Sequence, residues 1–282
     1  MEQFSLVDLN GLSKSIVKLI ECVSNAIGVV YEPTRIRRKA HADAHAALLK
    51  AQVDGIISDI EYRSMVRLVE KETRRQQNIE NIVSGAAEIL RDMPSNEGKP
   101  DEDWIADFFD LCQNCSSEMM QRLWASLLAG EVDSPGTFSR RTMHSVKLLS
   151  VPEAHLFTTL CGCIWKVSEE SAGAGYMLIM DSDSSGRYSD ETWGFDGSDI
   201  PVMEMLNLCS YQFFDLDVRK EYCVKFGDES YTIKPKTDSE RLEVVALSPV
   251  GVELYPICGS ILNYEYCAIT VDYLRERGLI TD

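Results

Sequence analysis

Along residues 101–150 the apolar positions recur at the three- and four-residue spacing of helices, and the polar residues between them fall where helices are capped. Trp104, Ile105, Phe108, Phe109 and Cys112 form one stripe behind the acidic start Asp101-Glu102-Asp103, which suits the positive end of a helix dipole. Ser116 is placed to cap a second helix carrying Met119, Met120, Leu123, Trp124, Leu127 and Leu128, and Gly130 to end it. Pro135-Gly136 turns the chain. Ser139 then caps a third helix through Met143, Val146 and Leu149, and Ser150-Val151-Pro152-Glu153 has the form of a capping box opening a fourth. The pattern predicts a helical bundle over residues 100–150, with Trp104, Phe108, Leu123, Trp124 and Leu127 in its core.

Before that bundle the pattern predicts long helices. Leu12, Ile16, Leu19, Ile20, Val23, Ile27 and Val30 repeat near 3.6 residues with Lys14, Lys18 and Glu21 largely opposite, so Gly11 to Tyr31 reads as an amphipathic helix. Pro33 interrupts it. An alanine-rich run from Thr34 to about Leu49 follows, and after Gly55 come Ile56, Ile60, Met65, Leu68, Val69, Ile79, Ile82, Val83, Ala86 and Leu90 among many charges. Residues 1–92 therefore form a helical association module. Its candidate interaction residues are Leu12, Ile16, Leu19, Ile20, Val23 and Ile27 on the stripe, with the basic knot Arg35, Arg37 and Arg38. The stripe fits docking onto the bundle or a second subunit, and the knot also fits an anionic membrane surface.

After residue 150 the period changes. A helix through Ala154, Phe157, Leu160, Cys161 and Ile164 gives way to Tyr176–Met180, an apolar run of strand length, and Ile200 to Leu206 opens a further helix behind Ser198. Strands are expected at Tyr211–Leu216, Tyr222–Phe226, Tyr231–Lys234 and Leu242–Leu247, with Gly227-Asp228 turning the second into the third. The ending LEVVALSPVGVELYPI is similar to the strand-then-helix close of winged-helix domains. The fold class expected is α+β, predominantly helical, with a winged-helix-like α+β domain over residues 151–282.

The phrase SSEMMQRLWASLLAGEVDSPGTFSRRTMHSVKLLS, together with IGVVYEPTRIRRKAHADAHA and RRQQNIENIV, resembles a bacterial family catalogued as domain of unknown function 2806, mainly within residues 11–170. The resemblance implies a bacterial protein, with stress or phage defence as a setting. It brings no catalytic residues, so none is assigned to Trp124, Gly130, Glu131 or Pro135.

Charge narrows the partners. Residues 1–91 hold 13 Lys/Arg and 12 Asp/Glu, whereas residues 92–282 hold 15 and 33, so the net charge of −17 belongs to the C-terminal two-thirds. Such a surface repels phosphate backbones, and the candidate recognition helix at Val202–Cys209 carries Glu204 and no Arg or Lys. Nucleic acid is therefore disfavoured and protein partners, including a second copy, are favoured. The N-terminus MEQFSLVDLN lacks the basic start of a signal peptide, and no run approaches the roughly 20 apolar residues of a membrane span, so a cytoplasmic location is expected.

Candidate chemistry is sparse. The nine cysteines are read as free. Cys112-x-x-Cys115 and Cys161-x-Cys163 lack the spacing of a zinc knuckle, and His41 and His45 share a helical face without the glutamate of a metalloprotease. Asp181 to Gly186 starts like a calcium loop but reaches Thr192 where a bidentate Glu is required. SAGAG at residues 171–175 precedes a strand, where a nucleotide fingerprint follows one. The expectation is a non-enzymatic interaction or adaptor component without cofactor or metal, with a DNA-binding regulator and a peripheral membrane protein as alternatives.

Overall fold

The computed structural model describes residues 14–27, 34–91, 93, 96, 98–167, 175–180, 199–237 and 240–280, with the main chain alone at 27, 34–41 and 180. The fold is α+β and predominantly helical, and it divides into two units, Met1–Met143 and His144–Asp282.

The first unit contains α1 (Lys14–Ile27), α2 (Thr34–Val53), α3 (Asp59–Leu90), α4 (Glu102–Cys112) and α5 (Glu118–Asp133); the division falls within α6 (Arg140–Leu148). The expected separation of residues 1–92 from 100–150 is corrected: α1 lies against α4, α5 and α3, and α3 packs along α5, so these helices share a core. Phe108 is the hub of that core. Its ring stacks on Trp104 at 5.4 Å and meets Trp124 edge-on at 5.3 Å, and both tryptophans are buried. The Trp104 indole Nε1 donates to the Phe138 carbonyl at 2.8 Å, which satisfies the polar end of a buried ring. Leu127 is buried with them, while Leu123 is only half-buried and stands at the edge of the core.

Two caps differ from the expected ones. The N-cap of α5 is Ser117, not Ser116, whose hydroxyl instead accepts from Asn78 Nδ2 at 3.2 Å. Gly130 does not end α5, which runs on to Asp133. A Cβ at Gly130 would stand 2.6 Å from Cε2 of the Phe138 ring, so the glycine is a site of close approach. At the next residue, the buried Glu131 carboxylate accepts the main-chain N–H groups of Gly136 at 2.7 Å and Phe138 at 3.1 Å, closing the Ser134–Ser139 connection. The capping box at Ser150 forms as its sequence requires.

The second unit is built on a six-stranded sheet in the order β3-β6-β2-β1-β4-β5, every neighbouring pair antiparallel. Its strands are β1 (Trp165–Val167), β2 (Gly175–Met180), β3 (Cys209–Asp215), β4 (Tyr222–Phe226), β5 (Glu229–Ile233) and β6 (Arg241–Leu247). The helices are α7 (Val151–Cys161), α8 (Ile200–Met205), α9 (Pro249–Leu254) and α10 (Tyr264–Glu276), with a short 3-10 turn at Tyr255–Ile257. Helix α7 stops at Cys161, short of the expected Ile164, because β1 takes the chain after Gly162. The winged-helix expectation is not supported. LEVVALSPVGVELYPI does give β6 followed by α9, but β6 lies between β3 and β2 inside a broad sheet and is no wing.

The sheet is completed from a helix. Strand β1 pairs with β2 only as far as Trp165 opposite Met177, leaving Ile179 beyond its end. The buried Tyr266 hydroxyl of α10 takes that place, accepting from Ile179 N at 2.8 Å and donating to Ile179 O at 2.9 Å. Phe226↔Glu229 closes the β4–β5 hairpin over Gly227-Asp228, with Gly227 at φ +57°, the left-handed conformation of the tight hairpin turn.

Candidate interaction surface

The apolar stripe of α1 is spent inside its own unit. Ile16, Leu19, Cys22 and Val23 are buried and Ile20 is half-buried, against α4, α5 and α3. Lys18 Nζ donates to the Val132 carbonyl at the end of α5, so a charged group between the apolar turns also has an internal partner. These residues hold α1 in place and offer no free surface. Leu12 and the turn at Pro33 lie outside the described residues, and Ile27, Arg35, Arg37 and Arg38 are described only by their helical main chain.

A different apolar surface is left open. The α2–α3 hairpin turns through Gly55 at φ +69°, and its distal part leaves Val53 78%, Ile56 74%, Ile60 67% and Leu68 58% exposed, with Leu49 and Met65 also exposed. The hairpin end is locally well made. Ser58 caps α3 with a reciprocal box, its hydroxyl accepting from Glu61 N while the Glu61 carboxylate accepts from Ser58 N at 2.8 Å. The Ser58 hydroxyl, then its amide, hold the Glu61 carboxyl below the usual carboxylate range. Gln52 Nε2 donates to Asp59 Oδ1 at 3.1 Å and the His45 and Tyr62 rings meet edge-on at 6.3 Å, tying the two helices together. The distal segment 42–77 carries six basic and six acidic residues, so the whole negative excess of the chain lies elsewhere.

Nearer the base of the hairpin, α3 and α5 are joined by amides. Asn81 Nδ2 donates to Gln121 Oε1 at 3.2 Å, Gln121 Nε2 donates to Asn78 Oδ1 at 3.2 Å and to Cys115 O at 2.8 Å, and Asn78 Nδ2 donates to Gln113 O at 2.9 Å. Both donors and acceptors of the central amides are used, so the chain fixes the register of α3 on α5.

The sequence's other chemical candidates do not come together. Cys112 is buried with its Sγ 3.8 Å from Phe109 O, and Cys115 faces Ser117 O at 4.0 Å. Burial pushes the Cys163 thiol up to about 12 and holds Cys161 well above its ordinary value. Among the described residues no three His, Cys, Asp or Glu side chains are grouped to hold a metal ion, and no helix is long and apolar enough to cross a membrane. The side chain of His41, residues 171–174 of SAGAG and the loop from Asp181 through Thr192 lie outside the described residues. In α8, Glu204 Oε1 accepts from Tyr211 N at 2.6 Å, which uses the helix's only charged side chain to anchor β3.

Ile56, Ile60, Met65 and Leu68 belong to the apolar repeat of the sequence and Val53 does not, and periodicity marks a face without showing whether anything covers it. No curated protein and no solved structure matches the chain. A family model does match, over residues 62–270, so the likeness extends beyond the 11–170 read from the sequence at its C-terminal end and begins later. The match spans most of α3, the whole α4–α5 core and all six strands, and the chain belongs to the family described as "Protein of unknown function (DUF2806)".

Proposed function

We propose that this protein is a non-enzymatic interaction component of a bacterial cytoplasmic system, and that copies of it associate through the distal α2–α3 hairpin. The observation that carries the reading is the row Val53, Ile56, Ile60 and Leu68, large apolar side chains held exposed on an ordered hairpin. Isolated apolar residues are common on surfaces, but several large ones exposed on one short hairpin support a protein contact there. Charge favours a second copy as the occupant. A chain of net −17 repels itself over most of its surface, whereas the distal hairpin is charge-balanced and can meet its own image without that penalty. The acidic C-terminal two-thirds and an α8 without Arg or Lys support a protein partner over nucleic acid.

Sedimentation of the full chain over a range of concentrations tests this. The parent protein is expected to self-associate, and a Val53→Asp, Ile60→Asp, Leu68→Asp variant to stay monomeric with an unchanged unfolding midpoint. A parent that is monomeric throughout, or a variant that still associates, would refute the reading.

A further inference from the structure

We propose that the edge strand β3 takes up an extended, basic peptide segment of a partner protein as an added strand of the sheet.

Strand β3 has a neighbour on one side only. It lies at the end of the order β3-β6-β2-β1-β4-β5, and each residue from Cys209 to Asp215 is in register with β6. The main-chain groups of an antiparallel strand point alternately toward its neighbour and away from it. Two bonds fix the phase here: Ser248 N donates to the Leu208 carbonyl at 3.0 Å, and Leu216 N donates to the Glu240 carbonyl at 2.9 Å. The even-numbered residues therefore bond to β6, and the N–H and C=O groups of Tyr211, Phe213 and Asp215 point off the sheet. One of these donors is already used, since the Glu204 carboxylate accepts from Tyr211 N at 2.6 Å. Among the described residues nothing accepts from Phe213 N or Asp215 N. The opposite edge differs. There Lys234 N, one residue past β5, donates to the Leu279 carbonyl at 2.7 Å.

The side chains beside this row of outward groups are open to a partner. Tyr211 is 43% and Phe213 46% exposed, on the same face of the strand with their rings 5.9 Å apart, and Met205 at the end of α8 is exposed as well. Both rings are steadied from β6. The Tyr211 hydroxyl donates to the Glu243 carboxylate at 2.8 Å, and the Arg241 guanidinium lies 4.3 Å from the centre of the Phe213 ring. A strand added at Phe213 exchanges two main-chain bonds with it and lays its own apolar side chains on this aromatic pair, the mode by which sheet edges recognise extended peptides.

Charge selects the occupant. Residues 199–218 contain Asp199, Glu204, Asp215 and Asp217 and no Lys, Arg or His. Arg219, just beyond, is paired with Asp217 at 3.0 Å. Such an edge repels β3 of a second copy and attracts a segment carrying Lys or Arg among its apolar residues. The contact belongs to the second unit, so it does not rest on association through the α2–α3 hairpin.

The test uses the full chain and a short, fluorescently labelled peptide in which Val alternates with Lys, with binding followed by anisotropy and main-chain amides by hydrogen exchange. Saturable binding is expected, with slowed exchange at Phe213 and Asp215, and a counterpart with Glu in place of Lys should not bind. Methylating every second peptide nitrogen separates strand pairing from attraction of charge. Of the two alternate sets, the one that faces β3 should weaken binding about tenfold or more and the other should have little effect. Phe213→Pro removes the outward donor while sparing the ladder to β6, and should weaken binding more than Phe213→Ala, which keeps that donor. If the proline variant misfolds, the methylated peptides carry the test on the parent chain. Equal effects of the two methylated sets, slowed exchange away from β3, or no saturable binding would overturn the proposal. So would protection of Phe213 that grows with protein concentration without peptide, which would assign the edge to a second copy.

Discussion

Between Asn78 and Leu90, α3 buries Ile79, Ile82, Val83, Ala86 and Ala87, whereas between Ile60 and Leu68 the same helix leaves its large apolar side chains in solvent. The two halves have similar periodicity and similar residue types. What differs is cover: α5 lies along the first, whereas the second meets only α2, which half-buries Tyr62 and Val66 and leaves Ile60, Met65 and Leu68 exposed. The base is therefore a helix because tertiary burial holds it. The distal half is held by local means, a capping box at Ser58 and paired charges such as Asp59 with Arg63 at 3.0 Å, one turn apart. A surface maintained in that way is available for a partner without unfolding anything.

The largest effect expected at the base comes from Trp124, which is buried against Phe108. Trp124→Ala should cost about 3–5 kcal/mol in denaturant unfolding. A loss far below that would mean that the α4–α5 core is not continuous with the base of α3.

Within α3 the comparison can be made directly. Ile82 is fully buried and Ile60 is 67% exposed, so Ile82→Ala should cost about 2–5 kcal/mol and Ile60→Ala no more than about 0.5 kcal/mol under dilute conditions where the chain is monomeric. Equal costs would erase the distinction between the two halves.

A smaller effect is expected at the junction between them. Gln121→Ala leaves Asn81, Asn78 and the Cys115 carbonyl without their amide partner, and should cost about 1–3 kcal/mol. Gln121→Glu is the sharper probe. It preserves shape but removes the two N–H donors, so it should recover little of the loss in the same unfolding measurement.

The smallest effect belongs to the distal cap and is one of pH. The Glu61 carboxyl is depressed in the folded state, so its stabilising contribution is present above its unfolded value and disappears as pH falls through its folded value. Ser58→Ala should raise the Glu61 midpoint toward the ordinary carboxylate range in a carbon-detected NMR titration, with the amide of residue 58 still holding it partly down. The base of α3 should show no matching change. An unaltered midpoint would mean that the box does not hold the hairpin end.

The sequence by itself determined where most elements lie. Local chemistry is enough for that: the Ser-x-x-Glu box at Ser150, the interruption at Gly55, the Gly227-Asp228 turn and the strand at Tyr222–Phe226 each follow from residues a few positions apart. It also determined that Trp104, Phe108 and Trp124 would face a common interior, because their spacing admits only one apolar face. Where a glycine ends a helix and where it admits a ring from elsewhere look the same in sequence, so only the Phe138 ring beside Gly130 tells the close approach from a cap. Short β1 and the role of Tyr266 as a stand-in for its missing continuation are beyond local pattern, since β1 takes its bounds from pairing with β2 and β4 and Tyr266 reaches Ile179 across 87 positions. The same holds for the two apolar stripes of the N-terminal helices. Periodicity marked both as faces that want cover, and only the tertiary structure decided that the α1 stripe is filled by α3, α4 and α5 while the distal α2–α3 surface is left open, because cover is a property of the neighbours and not of the stripe.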